Sequence, residues 1–104
     1  MPLCRFVAVG FHKPHLPFVA SEQFFDDFYP TGAIQLPPNQ QPPAGMPPVA
    51  WSAYGELRNY QDEANHSGAP GTVLPKDDVL ALRRAYYASV VSSVVKPFIH
   101  YLTH

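Results

Sequence analysis

The chain has 104 residues, with seven Lys and Arg against eight Asp and Glu and a formal net charge of −1. This length allows at most one domain, and the near-neutral charge without a basic run argues against a nucleic-acid partner. No apolar run reaches the roughly 18 residues that a membrane span needs. The single cysteine, Cys4, excludes an internal disulfide framework and a cysteine-based zinc site.

The first apolar stretch is Phe6-Val7-Ala8-Val9, an unbroken β-favouring run. A run without alternation is typical of a strand buried on both faces of a sheet. We therefore predict a central strand over residues 5 to 10 and an α/β fold class. Because residues 1 to 5 lead directly into this strand, we expect no signal peptide in the chain.

A polar, cationic loop follows the predicted strand over residues 10 to 17, and we call it the elbow. Its prolines cannot donate to a strand ladder, so His12, Lys13 and His15 are predicted to lie at the strand's carboxyl end, where ligands bind in open α/β sheets. Lysine is a stable positive charge, and an imidazole can donate a hydrogen bond or a proton to a leaving oxygen. The spacing leaves two interpretations open, an anion site or two histidines that cap or fill a rigid turn.

Residues 21 to 29 predict a short helix with Ser21 as its N-cap and Pro30 as its end. Three aromatic side chains share one face and require an apolar surface to pack on: Phe24, Phe25 and Phe28. The neighbouring Asp26 and Asp27 are either metal ligands or a solvated helix face, and the lack of nearby ligand residues favours the solvated face.

From residue 31 to residue 74 the sequence shows almost no periodicity, and paired prolines recur at 37 and 38, 42 and 43, and 47 and 48. One interpretation is a docking segment for an SH3-like or WW-like domain. The other is an extended loop with Val49, Trp51 and Tyr54 as its anchors, which the absence of a PxxP spacing in this stretch favours. A loop of this length indicates a piece of a larger fold.

Asn65-His66-Ser67 in this loop matches the N-glycosylation pattern, so Asn65 is predicted to be exposed and to carry a glycan in a secretory protein.

A longer helix is predicted to begin near Pro75, with Asp77 and Asp78 complementing the dipole of its first turn. Its apolar stripe is Val79, Leu82, Tyr86, Val90 and Val94, and its basic residues Lys76, Arg83 and Arg84 are predicted to lie largely outside that stripe. Pro97 is predicted to end the helix. His100 and His104 are spaced for a helical metal pair, but no third ligand accompanies them.

Residues 6 to 90 resemble an internal segment of the sulfatase family. The matching stretches, in chain order, are Ala8-Val9-Gly10-Phe11-His12-Lys13-Pro14-His15-Leu16-Pro17-Phe18, Tyr29-Pro30, Met46-Pro47-Pro48-Val49-Ala50, the sequon at Asn65, and Tyr87-Ala88-Ser89-Val90. The resemblance implies part of an alkaline-phosphatase-like α/β domain that hydrolyses sulfate esters of glycosaminoglycans in the lysosome or secretory pathway. It implies that His15 is the active-site histidine beside the sulfate and that Lys13 and His12 are substrate-binding neighbours.

The chain also departs from the family's pattern. The family's nucleophile is a formylglycine made from cysteine in a Cys-x-Pro-Ser-Arg motif, whereas Cys4 is followed by Arg5-Phe6-Val7-Ala8. The family's calcium ligands lie outside the matching segment, so we expect calcium in the full-length family enzyme and none bound to this chain alone.

We therefore expect an incomplete sulfatase segment over residues 1 to 90 and a divergent tail of unknown origin over residues 91 to 104, read through or altered by splicing. The leading prediction is a sulfatase fragment that is inactive alone. The alternative is a non-catalytic binding or regulatory truncated isoform.

Overall fold

In the part of the chain that the structure describes there are two α-helices of very different length. The computed structural model describes residues 6, 8, 10 to 60 and 65 to 102, with side chains up to residue 95. Helix α1 spans Glu22–Phe28 and helix α2 spans Lys76–Leu102, and two short 3-10 turns, Pro48–Ala50 and Leu57–Asn59, lie between them. The long connection between the helices is therefore irregular, as the prolines predict.

The predicted α/β class is wrong, because the described residues form helices, turns and loops but no strand. Residues 6, 8 and 10 are irregular, and the Phe6 side chain is 93% exposed. Residues 5, 7 and 9 of the predicted strand lie outside the described residues. An apolar run becomes a strand only where a neighbouring strand pairs its backbone, and no described segment supplies that neighbour. The alkaline-phosphatase-like sheet implied by the family resemblance is likewise not supported.

Helix α1 confirms the predicted short helix. Ser21 is its N-cap in an extended conformation, and the Ser21 carbonyl accepts a hydrogen bond from the Phe24 amide at 2.9 Å, although the serine side chain makes no capping bond. At the other end the Tyr29 amide donates to the Phe25 carbonyl at 3.0 Å, and Pro30 follows. The proline prevents another turn of helix.

Arg84 of α2 holds α1 in place, and we call this contact the clasp. The Arg84 Nε donates to the Tyr29 carbonyl at 2.6 Å, a terminal guanidinium nitrogen lies 3.2 Å from Asp26 Oδ1, and the guanidinium carbon lies 5.1 Å from the Phe25 ring centre. Its side chain is only 29% exposed. The prediction that Arg84 lies largely outside the packed face is wrong, because the exposed carbonyl end of α1 attracts a cation.

The buried face of α2 also differs from the predicted stripe. Tyr86 and Val94 are 41% and 58% exposed, whereas Ala88, Ser89 and Ser92 are 0%, 0% and 3% exposed. The Ser92 hydroxyl donates to the Ser89 carbonyl at 2.8 Å. This bond satisfies the Ser92 hydroxyl, so a small polar side chain is buried at low cost. A prediction from hydrophobicity alone therefore does not identify the buried face of α2.

The end of α2 lies beyond the predicted stop, since the helix runs through Pro97 to Leu102. Proline removes one hydrogen bond and crowds the preceding turn, but long helices tolerate it when helix continues on both sides. His100 has a helical backbone, while its side chain and all of His104 lie outside the described residues. The predicted boundary between the sulfatase segment and the divergent tail, after residue 90, falls within this continuous helix. The separate origin of residues 91 to 104 stays a prediction.

The connection between the helices is anchored by two of the three predicted side chains. Trp51 and Tyr54 are half-buried, whereas Val49 is 93% exposed and anchors nothing. Trp51 lines a shallow cavity together with Met46 and two of the proline pairs, 42 and 43 and 47 and 48. Of the two interpretations of residues 31 to 74, this arrangement agrees with the extended loop that is anchored to the rest of the chain.

The surface of the chain is large for its mass. The accessible area is 8317 Å², and the principal extents are 63 × 33 × 28 Å. A compact monomer of 11.6 kDa exposes about 5,800 Å². The excess is about 2,500 Å² on that scale, more than a standard protein interface buries on one partner. Among the helices of the described residues, none is long and apolar enough to cross a bilayer.

Candidate functional site

The elbow is a single turn whose cationic and protonatable side chains bond back to its own carbonyls. The turn closes with a hydrogen bond from the His15 amide to the His12 carbonyl at 3.1 Å, and the two imidazole rings lie 4.8 Å apart. His12 Nε2 and His15 Nδ1 both donate to the Leu16 carbonyl, at 3.2 and 3.0 Å, and the Lys13 ammonium donates to the Pro17 carbonyl. The three predicted site residues therefore do lie together, on one exposed loop.

The Leu16 carbonyl fixes the orientation of the His15 ring. Because Nδ1 donates inward at 3.0 Å, Nε2 is the nitrogen that faces away from the loop. An imidazole held in this way presents one nitrogen in a defined direction, as a positioned acid or hydrogen-bond donor requires. The arrangement suits contact with an oxyanion.

Glu56 occupies the outward position, and no pattern in the sequence indicates it. Its Oε1 lies 3.4 Å from His15 Nε2, and the two side chains are 57% and 52% exposed. The residue is far from the elbow in sequence, within an aperiodic loop, so no spacing rule connects them. Only the tertiary path of the loop brings the carboxylate to the imidazole.

The backbone around Glu56 is well defined. Tyr54 adopts a left-handed φ of 50°, and its carbonyl accepts a hydrogen bond from the Arg58 amide at 3.0 Å. The Asn59 amide donates to the Glu56 carbonyl at 3.1 Å, which begins the 3-10 turn Leu57–Asn59. A non-glycine residue in this region is uncommon, and here it turns the chain so that Glu56 faces the elbow.

An apolar cavity of about 220 Å³ adjoins the elbow. Leu16, Pro17 and Phe18 line one side, and Leu57 and Tyr60 line the other. Leu82 and Ala85 of α2 complete the lining, so the cavity lies between helix α2 and the stretches that follow His15 and Glu56. Its walls offer carbon surface and two aromatic rings beside a polar pair, a combination typical of small-ligand sites.

The sequon lies in a second turn, away from the elbow. Asn65 is exposed, as predicted, while its neighbour His66 is ion-paired through Nε2 with Asp78 Oδ2 at 3.3 Å. Gly68 brings this turn against the loop before Glu56, since a Cβ at position 68 would lie 2.4 Å from the Ala53 carbonyl oxygen. The close approach explains the glycine.

The described residues do not fit a calcium site. No group of three or more His, Cys, Asp or Glu side chains in that part of the chain is arranged to hold a metal ion. Three of the carboxylates instead pair with basic partners: Asp26 with Arg84, Glu56 with His15, and Asp78 with His66. Calcium needs six to eight oxygen ligands, and the described carboxylates do not gather in that number.

Over most of its length the chain is similar to a part of the iduronate 2-sulfatases. It is 38% identical over 86 residues to iduronate 2-sulfatase of Homo sapiens and 37% identical over 86 residues to iduronate 2-sulfatase of Mus musculus. The matches cover 82% of this chain but only 16% and 15% of those proteins. No protein-family model matches the chain, and no solved structure matches it.

Proposed function

We propose that the chain is a segment of a sulfuric ester hydrolase resembling iduronate 2-sulfatase, and that the elbow is its sulfate-facing part. The observation that carries the proposal is the convergence of His12, Lys13 and His15 on one loop in a sulfatase-like sequence. His15 is the proposed catalytic residue, and Lys13 and His12 are the proposed substrate-binding residues. The substrate class is a sulfated glycosaminoglycan.

Each of the three residues has a proposed role that the geometry supports. With Nδ1 held by the Leu16 carbonyl, the His15 ring is free to donate from Nε2 to an oxygen of a sulfate ester. In a full-length enzyme, where a nucleophile would attack sulfur and the bond from sulfur to the sugar oxygen would break, the same proton would pass to the departing oxygen. Lys13 contributes a compact positive charge, which attracts the sulfate without fixing its orientation. His12, bonded to the same carbonyl, stiffens the turn and contributes a further donor.

The large surface supports the view that this segment works within a larger protein. Its excess area of about 2,500 Å² over a compact monomer matches a segment that packs on further chain. The 104 residues contain no Cys-x-Pro-Ser-Arg motif, and the described carboxylates do not gather for calcium. Sulfatase chemistry needs its electrostatic groups together, so we propose that this chain alone hydrolyses no sulfate ester and that calcium belongs to the full-length enzyme.

The test has an activity arm and a binding arm. The purified 104-residue chain is assayed with calcium on a 2-sulfated uronate substrate, and we expect no turnover. Binding to heparan or dermatan fragments at low salt should weaken on Lys13→Ala and not on Lys76→Ala, a matched change at the exposed start of α2. Calcium-dependent turnover overturns the claim of inactivity, and equal loss in both variants overturns the elbow as the binding site.

We also propose that the protein enters the lysosomal or secretory pathway and carries a glycan on Asn65. The support is the exposed sequon and the similarity to iduronate 2-sulfatases. Directed into the secretory pathway of mammalian cells by an added signal sequence, the chain should migrate more slowly until N-glycans are removed. Ser67→Thr should keep this shift and Asn65→Gln should abolish it. A shift that persists in Asn65→Gln would place the modification elsewhere.

A non-catalytic binding or regulatory role is the second candidate. The elbow presents donors to an anion, while the chain has no sulfatase nucleophile motif. Two observations together favour this role: the purified chain binds the fragments without turnover, and cells produce the chain as a separate 12-kDa protein. If cells contain these residues only within a larger glycosylated protein, the sulfatase segment is favoured.

A further inference from the structure

We propose that Glu56 is a specificity-determining residue of the elbow, which selects sulfate esters that carry a hydroxyl group next to the sulfate. This inference rests on the proposed function, since it assigns the ligand class of the same site. The structure assigns Glu56 through one juxtaposition: its Oε1 lies 3.4 Å from His15 Nε2, the nitrogen left for a ligand.

The contact does not serve to orient the imidazole. The Leu16 carbonyl already accepts from His15 Nδ1 at 3.0 Å and fixes the ring. The ring therefore keeps its orientation without Glu56, and a ligand can replace Glu56 at Nε2. Glu56 therefore stands where the anionic oxygen of a ligand would stand.

A sulfate ester can take this position because the pair is weak. Both side chains are more than half exposed, and exposed ion pairs contribute little after solvent screening. The Glu56 carboxylate stays near the elbow when the ion pair with His15 breaks, because the turn at Tyr54 and the 3-10 turn Leu57–Asn59 hold the Glu56 backbone there. A bound sulfate thus has a carboxylate as its neighbour.

That neighbour discriminates between ligands by charge and by hydrogen bonding. A bare sulfate ester brings only acceptor oxygens, so Glu56 repels it and gains no bond. An ester with an adjacent hydroxyl brings a donor, and a hydrogen bond from a hydroxyl to a carboxylate offsets the repulsion. Lys13 and His12 supply the remaining charges of the elbow and do not distinguish the two ligands.

The adjoining cavity is consistent with a sugar or another polyol. Leu57 and Tyr60 follow Glu56, and Leu16 and Pro17 follow His15, so the cavity walls continue from both members of the pair. The carbon face of a sugar ring packs on such apolar and aromatic surface, while its hydroxyl and sulfate groups reach the polar pair. The ligand class is therefore a sulfated polyol with neighbouring hydroxyl and sulfate groups.

The test uses a matched pair of small ligands, 2-hydroxyethyl sulfate and ethyl sulfate, and the full 104-residue chain. Binding is followed by the NMR signals of the histidine ring nitrogens at a fixed pH of about 6. We expect 2-hydroxyethyl sulfate to bind about two- to fivefold more tightly than ethyl sulfate. Glu56→Ala should bring this ratio to about one by strengthening the binding of ethyl sulfate, and Glu22→Ala, on exposed α1, should leave the ratio unchanged.

The outcomes separate this inference from the proposed function. If both esters bind with equal affinity and Glu56→Ala changes neither, the elbow is an anion site and the role of Glu56 is overturned. If neither ester shifts the His15 signals, the proposed sulfate site itself fails, and this inference with it. Glu56→Gln, which keeps the side-chain size and removes the charge, serves as a second variant if the alanine variant loses helix signal in circular dichroism.

Discussion

The elbow and the clasp each rely on a cationic side chain that donates to a backbone carbonyl, but over very different distances along the chain. In the elbow Lys13 and both histidines bond to carbonyls within four residues, and their side chains stay largely at the surface. In the clasp Arg84 reaches back to Tyr29 and Asp26 on another helix, and it is mostly covered. Fold and proposed chemistry are therefore separable here. Removing an elbow side chain should weaken binding, and removing the clasp should lower stability.

The largest expected effect is on the clasp. Arg84→Ala removes the bond to the Tyr29 carbonyl, the pair with Asp26 and the contact with the Phe25 ring, so we expect the free energy of unfolding to fall by about 2 kcal/mol. Urea unfolding followed by helix circular dichroism measures it. Lys76→Ala is the control, with an expected change below about 0.5 kcal/mol. If Arg84→Ala and Lys76→Ala lower the stability equally, Arg84 contributes no more than an ordinary surface charge.

A smaller loss is expected where the sequon turn meets the loop before Glu56. Gly68→Ala places a Cβ 2.4 Å from the Ala53 carbonyl oxygen and 2.6 Å from the Arg58 guanidinium. We expect a destabilisation of about 1 to 2 kcal/mol, since the backbone must move. The single tryptophan, Trp51, reports the change by fluorescence. The control Gly55→Ala meets nothing within 4 Å, so an equal effect there would refute the close-approach argument.

The ion pair within the clasp should matter less than its backbone bond. Asp26→Asn keeps the size of the side chain and removes a charge that is 64% exposed. We expect a loss of about 0.5 kcal/mol or less, which disappears as salt is raised because solvent and ions screen the pair. Urea midpoints at low and high salt measure it. A loss as large as that of Arg84→Ala would mean that the carboxylate, not the carbonyl, holds the helix.

The smallest effect on stability is expected in the elbow. His15→Ala removes an exposed ring whose bonds are local, so the urea midpoint should shift by no more than about 0.5 kcal/mol in free energy. The same variant should lose its response to 2-hydroxyethyl sulfate. A large loss of stability together with retained binding would reverse the roles assigned to the two regions.

The sequence predicted what depends on neighbours along the chain. Ser21, the phenylalanines and Pro30 set the bounds of α1 to within a residue, and Pro75 with its two aspartates set the start of α2. Likewise the prolines and cationic residues of the elbow predicted one polar loop, which the structure confirms as a shared turn.

What depends on distant contacts could not be predicted. The run at Phe6 needs a neighbouring strand to be a strand, and hydrophobicity does not show whether one exists. Arg84 looks like a surface charge until α1 offers it a carbonyl. Glu56 joins the site only through the path of a loop without periodicity, turned by a left-handed tyrosine that no propensity predicts.

Helix α2 also has a mechanical consequence. The clasp holds the helix at Arg84, and among the described side chains of the helix Ser92 is the last that is buried. The helix continues to Leu102, so at a rise of about 1.5 Å per residue its end lies about 15 Å beyond Ser92. A bend of about 10° at Ser92 therefore moves that end by about 3 Å.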